Sequence, residues 1–340
     1  MHRPQTITRS DNGSLTVVDG VHGTVTITED VLIRLIYSPA VQRLSGVLQH
    51  GITGLLGMTP PVTRLEHSVG AMLLVRKLGA SLKEQIASLL HDISHTALSH
   101  VVDHAFRGTE SYHELQKESY LLSTELPDLI KSCGYDWRDF LKEEDYPLLE
   151  QDSPKLCADR LDYGLRDCLA FDRLSESEVQ RILENLRVAD NCIVCSDPQV
   201  ARVLAEAYMA TDRDVYGNPE HIGLYELAGA VIRDAVDRGY ITKGHLWLRD
   251  TEFWSILSAI PDEEFRTRIG LIVPSTRFQE VVDGSQDLSF RPKIRTIDPG
   301  IVMDGVTVPL STIDPTYKRT REEYLASKTR EFMMRVISIG

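Results

Sequence analysis

Nowhere does this chain approach the ~20 consecutive apolar residues that a helix needs to cross a bilayer. Its opening Met1-His2-Arg3-Pro4-Gln5 leads into polar residues without the apolar core of a signal peptide. A cytosolic protein is therefore expected. Basic charge is also scarce: 37 Lys and Arg stand against 50 Asp and Glu, a net charge of −13. That balance argues against an extended nucleic-acid surface, yet it leaves room for a small anion in a locally basic pocket. Cysteines are few and odd in number, five, with Cys192 and Cys195 the one close pair. A single such pair is a weak zinc or redox signal; two reduced thiols on one face of a strand-like segment are the simpler expectation. Internal repeats and low-complexity segments are lacking too.

What is present is enough apolar material, 42% of 340 residues, to bury a substantial core in one large domain or two. Residues 1–29 alternate at Thr24-Val25-Thr26-Ile27-Thr28, which predicts a short strand or hairpin. Helical periodicity dominates from about 30 to 260. Ser38-Pro39, Asp197-Pro198 and Asn218-Pro219 mark helix starts, and Ser175 with Glu178 forms a capping box. After Ile260-Pro261 the character changes. Residues 270–274, 293–299 and 306–309 read as short strands and about 319–337 as a final helix, together a smaller α+β region over 261–340. The expected fold is mainly α.

About half of the 11 histidines fall between His67 and His113. A lone histidine is usually a satisfied packing residue; this clustering beside carboxylates is harder to explain that way. His67, the pair His91-Asp92, and Asp159 read as four ligands of a water-activating metal, since imidazole plus carboxylate suits first-row divalent ions and leaves positions open. Ile86, Leu89, Leu90, Ile93 and Ala97 make one helical stripe, with His91 and His95 ~40° apart on another face. Leu65, Val69, Met72, Leu73 and Leu78 suggest a helix carrying His67 near its start, and Leu156, Leu161 and Leu165 a third carrying Asp159. His100, three residues before Asp103, shares its helix face, as suits a general acid held by a carboxylate.

The segments Arg64-Leu65-Glu66-His67-Ser68, His91-Asp92-Ile93-Ser94-His95 through His100, and Asp159-Arg160-Leu161-Asp162-Tyr163 through Asp167 resemble the HD superfamily. More narrowly they resemble its deoxynucleoside triphosphate triphosphohydrolase branch, over about residues 20 to 240. The resemblance implies an HD-domain helical core and a divalent metal on His67, His91, Asp92 and Asp159. Mn, Fe, Co, Ni, Zn and Mg all remain open. It implies a proton-donating cluster of His95, His100, Asp103 and His113. It implies substrate contacts from Gln49, Arg64, Arg160, Tyr163, Asp167 and Arg213, the arginines offsetting the charge of a triphosphate cleaved to nucleoside and inorganic triphosphate. His104 matches no role and is expected at the surface. His50 stands where relatives commonly carry an apolar residue, and Ser94, Thr96 and Ala97 replace a glycine and proline. A homo-oligomer is implied, with a C-terminal region whose Arg291, Lys293 and Arg295 bind a regulatory nucleotide or face solvent. Two rivals stay open: an HD hydrolase of another phosphoester, and a nucleotide-sensing regulator with little turnover.

Overall fold

The helix that carries His67 starts where its cap dictates. Thr63 accepts a hydrogen bond from the Glu66 backbone N–H, and Glu66 accepts one from that of Thr63, a reciprocal box that opens helix Arg64–Lys77. The computed structural model describes residues 2–108, 110–293 and 295–337. Among these, helices dominate and three small sheets sit at the periphery.

The N-terminal strands Thr6–Arg9, Leu15–Asp19 and Gly23–Ile27 form an antiparallel meander. Leu15, Val17 and Ile27 turn inward and join the core of helices Asp30–Ile36, Arg64–Lys77 and Leu82–Leu90. The expected starts hold. Ser38, Asp197 and Asn218 cap helices Pro39–Arg43, Pro198–Thr211 and Pro219–Asp237, and Ser175 and Glu178 box the start of Glu176–Asn185.

Helix Leu82–Leu90 ends at His91 instead of running on to Ala97. Tertiary partners take the backbone donors a longer helix would have used: Ala97 N–H donates to the Leu246 carbonyl at 2.7 Å, and Leu98 N–H to Asp250 at 2.7 Å. Leu98 and Ser99 accordingly adopt positive φ, 61° and 49°. Ile93 and Ala97 are buried as expected, but His91 and His95 do not share a helical face. The close approach of this turn also requires glycine at position 51, where φ is +47° and a Cβ would lie 2.2 Å from the Leu98 carbonyl oxygen.

Towards the C-terminus the expectations need more correction. Residues 270–274 close helix Glu263–Gly270, and residues 293 and 295–299 form no strand up to Gly300; residue 294 lies outside the described residues. The last helix is Pro315–Ser327, after which Phe332–Ile337 is a strand between Arg277–Glu280 and Leu288–Phe290. Val306–Pro309 is a strand as expected, in a four-stranded sheet that mixes Leu186–Ala189 and Cys192–Cys195 with Gly300–Met303. On that strand Cys192 is half-buried and Cys195 buried. Three positions apart, they lie on opposite faces rather than one, and both are free thiols. Phe278, Phe290 and Phe332 pack with Leu224, Ala228 and Phe253, so residues after 260 share a core with the helices before it.

Candidate metal centre and active-site pocket

Two histidines are oriented by what their far nitrogens touch. His91 Nδ1 lies 2.7 Å from the Ser88 carbonyl, an acceptor only, so Nδ1 carries the proton and Nε2 its lone pair. His67 Nδ1 is likewise held 2.9 Å from the Asp162 carboxylate. Both Nε2 atoms, 3.1 Å apart, are therefore the ones that would present lone pairs to a bound metal. Asp159 Oδ1 lies 3.0 Å from His67 Nε2 and 3.5 Å from that of His91, and Asp92 Oδ2 lies 3.6 and 3.7 Å from the same two atoms.

Acceptor atoms at such separations repel unless a cation lies among them. Ligands about 2.1 Å from one ion stand about 3.0 to 3.4 Å apart in octahedral or tetrahedral geometry. His67, His91 and Asp159 converge closely enough to hold a divalent metal, while Asp92 stands wider, at 3.6 and 3.7 Å, with the same oxygen accepting from Arg64. The carboxylates also favour positive charge here: burial pushes the His91 imidazole down, yet Asp92 and Asp159 outweigh it and bring it up to about 10, so a metal at this site would displace a proton from Nε2. Burial likewise opposes ionisation of Asp159, and the neighbouring His67 and His91 hold its carboxyl below the usual range all the same. The centre is built for positive charge.

Behind His67 lies a buried ionic network. Asp162 meets His22 at 2.7 Å and Arg166 at 2.8 Å, and Arg166 reaches Asp19 at 2.8 Å. Such partners of a ligating imidazole fix its orientation. The close crossing that permits it requires Gly70, where a Cβ would lie 2.0 Å from Arg166 Nη2. The sequence reading gave Asp162 and His22 no role; the visible signal was that Asp162 follows Asp159 by three positions, on the same helix face.

A second cluster adjoins the first through Asp92, whose other oxygen, Oδ1, is 3.2 Å from His95 Nε2. His95 stacks on His113 with ring centroids 3.7 Å apart and lies edge-on to His100 at 4.9 Å. His100 Nδ1 is 2.9 Å from Asp103, whose other oxygen accepts the Tyr112 N–H. Nitrogens of these three imidazoles also converge. Face-to-face stacking of His95 on His113, however, is not how two rings aim at one ion. Burial pushes all three down, His113 to about 3, so they are neutral near pH 7.

Both clusters open on one cavity of about 840 Å³. Of the expected substrate contacts, Gln49, Arg64, Arg160, Tyr163 and Asp167 line it. Arg64 donates to Asp92 at 2.6 Å and to Ser99 at 3.1 Å. The Arg160 guanidinium is held by Glu150 and the carbonyls of Gln151 and Lys155. Asp167 accepts from Tyr216 and meets the ring of His50, which explains the polar residue at position 50. Gln49 Oε1 and His95 Nδ1 are buried without a partner among the described residues.

Arg213 is a correction. It is exposed, pairs with Asp214 at 2.9 Å and lies off the cavity, because the helix widens into a π turn over Asp212–Tyr216 that sends Tyr216 inward instead. His104 is a second: it pairs with Glu226 at 2.9 Å and lines the cavity rather than the open surface. Arg291, Lys293 and Arg295 border the same cavity as the metal donors.

Known proteins place this geometry. Residues 64–163 match the HD domain family. A metal-dependent phosphohydrolase, cns2, of Cordyceps militaris is 44% identical over 94% of this chain and 95% of its own length. A chicken (Gallus gallus) deoxynucleoside triphosphate triphosphohydrolase, SAMHD1, is 26% identical over 51% of this chain and 36% of its own. The crystal structure of a phosphohydrolase from Bacteroides thetaiotaomicron shares the fold, with a TM-score of 0.68 over 98% of this chain and 99% of that one at 17% identity. No helix among the described residues is long and apolar enough to cross a membrane. Given an HD match that spans all four expected metal ligands and a relative similar along nearly its whole length, the chain belongs to the HD-domain metal-dependent phosphohydrolases.

Proposed function

We propose that this chain hydrolyses a nucleotide at the P–O bond joining phosphate to nucleoside. The observation that carries this reading is Asp92, which faces the metal donors with one oxygen and the histidine cluster with the other. A divalent ion on His67, His91, Asp92 and Asp159 would supply Lewis-acid polarisation and a more acidic water.

The chain's own residues account for the rest. Arg64 keeps positive charge beside the reacting phosphate. With Nδ1 committed to Asp103, His100 has Nε2 to pass a proton to the departing nucleoside oxygen. It is neutral in the free protein, and an arriving phosphate would favour its protonated form. Gln49 Oε1, buried and unpartnered, suits a donor such as a sugar hydroxyl.

The finer reading is a deoxynucleoside triphosphate cleaved to nucleoside and inorganic triphosphate. Motif resemblance, the partial likeness to the chicken enzyme and the size of the cavity support it. A second reading, a nucleotide with a single phosphate, is favoured by a specific observation. Arg213 lies off the cavity, Arg160 is engaged by Glu150, and Glu114, Glu143 and Glu144 line the same walls.

Product analysis separates them. Metal-loaded protein is incubated with Mn²⁺ or Mg²⁺ and each deoxy- and ribonucleoside tri- and monophosphate, and the products are resolved by ion exchange. Nucleoside with intact triphosphate, absent with Asp92→Ala, is the first reading. Nucleoside with orthophosphate from monophosphates alone is the second, and no product from any nucleotide would refute both and favour a sensor.

A further inference from the structure

We propose that Arg295, brought in by the C-terminal region, is a phosphate-binding residue of this pocket and provides the cation that Arg213 does not. The inference rests on the nucleotide-hydrolase reading and names one more group that would hold its substrate.

Position is the first argument. The Arg295 guanidinium lies 5.3 Å over the Tyr216 ring. Tyr216 meets Tyr163 edge-on at 5.9 Å, and the Tyr163 ring is 6.2 Å from that of His67. A short aromatic wall thus runs from the metal donors to Arg295, and all of it but His67 lines the cavity. A phosphate beside the metal and further groups along that wall would come within reach of the guanidinium.

Charge is the second argument. The other cavity arginines of the catalytic core are matched: Arg64 by Asp92 at 2.6 Å and Arg160 by Glu150 at 3.2 Å. Arg295 forms no ion pair among the described residues. Its guanidinium has one long contact, 3.5 Å, to the Lys293 carbonyl. Asp212, the nearby carboxylate, accepts instead from the Arg295 backbone N–H and the Tyr324 hydroxyl. A half-buried guanidinium that faces tyrosines, and that feels the Asp212 carboxylate without a hydrogen bond or ion pair to it, retains most of its donors for an anion, and its planar fork matches phosphate oxygens two at a time.

Support from behind is the third argument. Thr296 and Ile297 are buried, and the Asp298 N–H donates to the Pro154 carbonyl at 2.8 Å, so the segment is anchored on the core that carries Asp159. The arginine is held in place before any ligand arrives, which lowers the cost of binding.

The test uses the full-length, metal-loaded protein with Arg295→Met, which keeps an apolar stem, and Arg295→Lys, which keeps the charge without the fork. Calorimetry measures binding of inorganic phosphate and of tripolyphosphate, alongside Tm, metal content, and KM and kcat for the substrate found above. Loss of a charged hydrogen-bonding partner should weaken anion binding and raise KM about 10- to 100-fold in Arg295→Met. Lysine should recover part of that, with Tm and metal content at wild-type values and a much smaller effect on kcat. Wild-type anion affinity in both variants, with or without a lower Tm, would reduce Arg295 to a packing residue and overturn the proposal. If the wild-type protein neither binds phosphate nor turns over any nucleotide, the functional reading itself fails and takes this inference with it. An active wild type with indifferent variants sinks Arg295 alone.

Discussion

His113 shows how far a single residue's behaviour is set by where it is buried. Stacked on His95, it has its imidazole pushed down to about 3, first by burial and then by the charge of His100, while Asp92 and Asp103 oppose the shift. The sign follows from proton counting. An unfolded chain takes up a proton on this side chain near pH 6.5, whereas the folded one refuses it until about pH 3. His113 therefore favours the folded state above about pH 6.5, and that contribution is lost as the pH falls towards 3. Against His113→Asn, which does not titrate, the wild type should lose at most about 2 kcal/mol of relative stability between pH 7 and 5. Denaturant unfolding at each pH, with equal metal, measures the difference; a gap that stays constant would mean the ring is solvated and ionises freely. The four side chains gathered at the candidate centre, His67, His91, Asp92 and Asp159, were legible in the sequence at this same scale, because each comes from a short motif whose residue types announce their chemistry. The partners that orient them were less so: Asp162 and His22 are 140 positions apart yet 2.7 Å from each other, a contact no local pattern encodes.

At the scale of elements, helix starts were readable because a cap is a local bargain between a side chain and backbone donors three residues on, as Ser175 and Glu178 show. Helix ends near the pocket were not, because distant partners decide them. Asp250 is the clearest case: buried at the start of helix Asp250–Ser258, it accepts the Leu48 N–H at 2.8 Å and the Leu98 N–H at 2.7 Å, one on each carboxylate oxygen. Those two residues precede Gln49 and Ser99, so one carboxylate fixes both the strand-like entry to the cavity and the turn after His95. Asp250→Asn keeps the size but sets an amide donor against one of these N–H groups, an expected cost of about 1–3 kcal/mol. Tm should fall and kcat/KM with it, while metal content holds, since no metal donor is touched; wild-type stability would show that the two backbones need no clamp. The short C-terminal strands were misplaced for a related reason. Phe332–Ile337 is a strand only because Arg277–Glu280 and Leu288–Phe290 flank it, and pairing across some 50 residues leaves no trace in a local window.

For the molecule as a whole, a metal at the candidate centre would add a link between segments already joined by packing and by the His67–Asp162 and Arg64–Asp92 pairs: His67 from one helix, His91 and Asp92 from the turn after the next, and Asp159 from a third about 70 residues later. These lie in different parts of the core, His67 on a helix and His91 just past the end of another, both packed with the N-terminal meander, Asp159 on one packed with Leu174, Ile182 and Leu204. An ion that binds all four donors in the folded state and few of them in the unfolded chain stabilises the fold by mass action, about 2.7 kcal/mol at 100 times its Kd. Chelation should therefore lower Tm, and adding Mn²⁺ back should restore it in a concentration-dependent way. Asp159→Ala should make Tm insensitive to both treatments, because the donor through which the ion would link the two parts of the core is gone. If chelation removes the ion yet leaves the wild-type Tm unchanged, the four acceptor atoms are already held apart by the protein alone. The cost of their mutual repulsion would then be met by the Asp162, Arg166 and Asp19 network rather than by the metal.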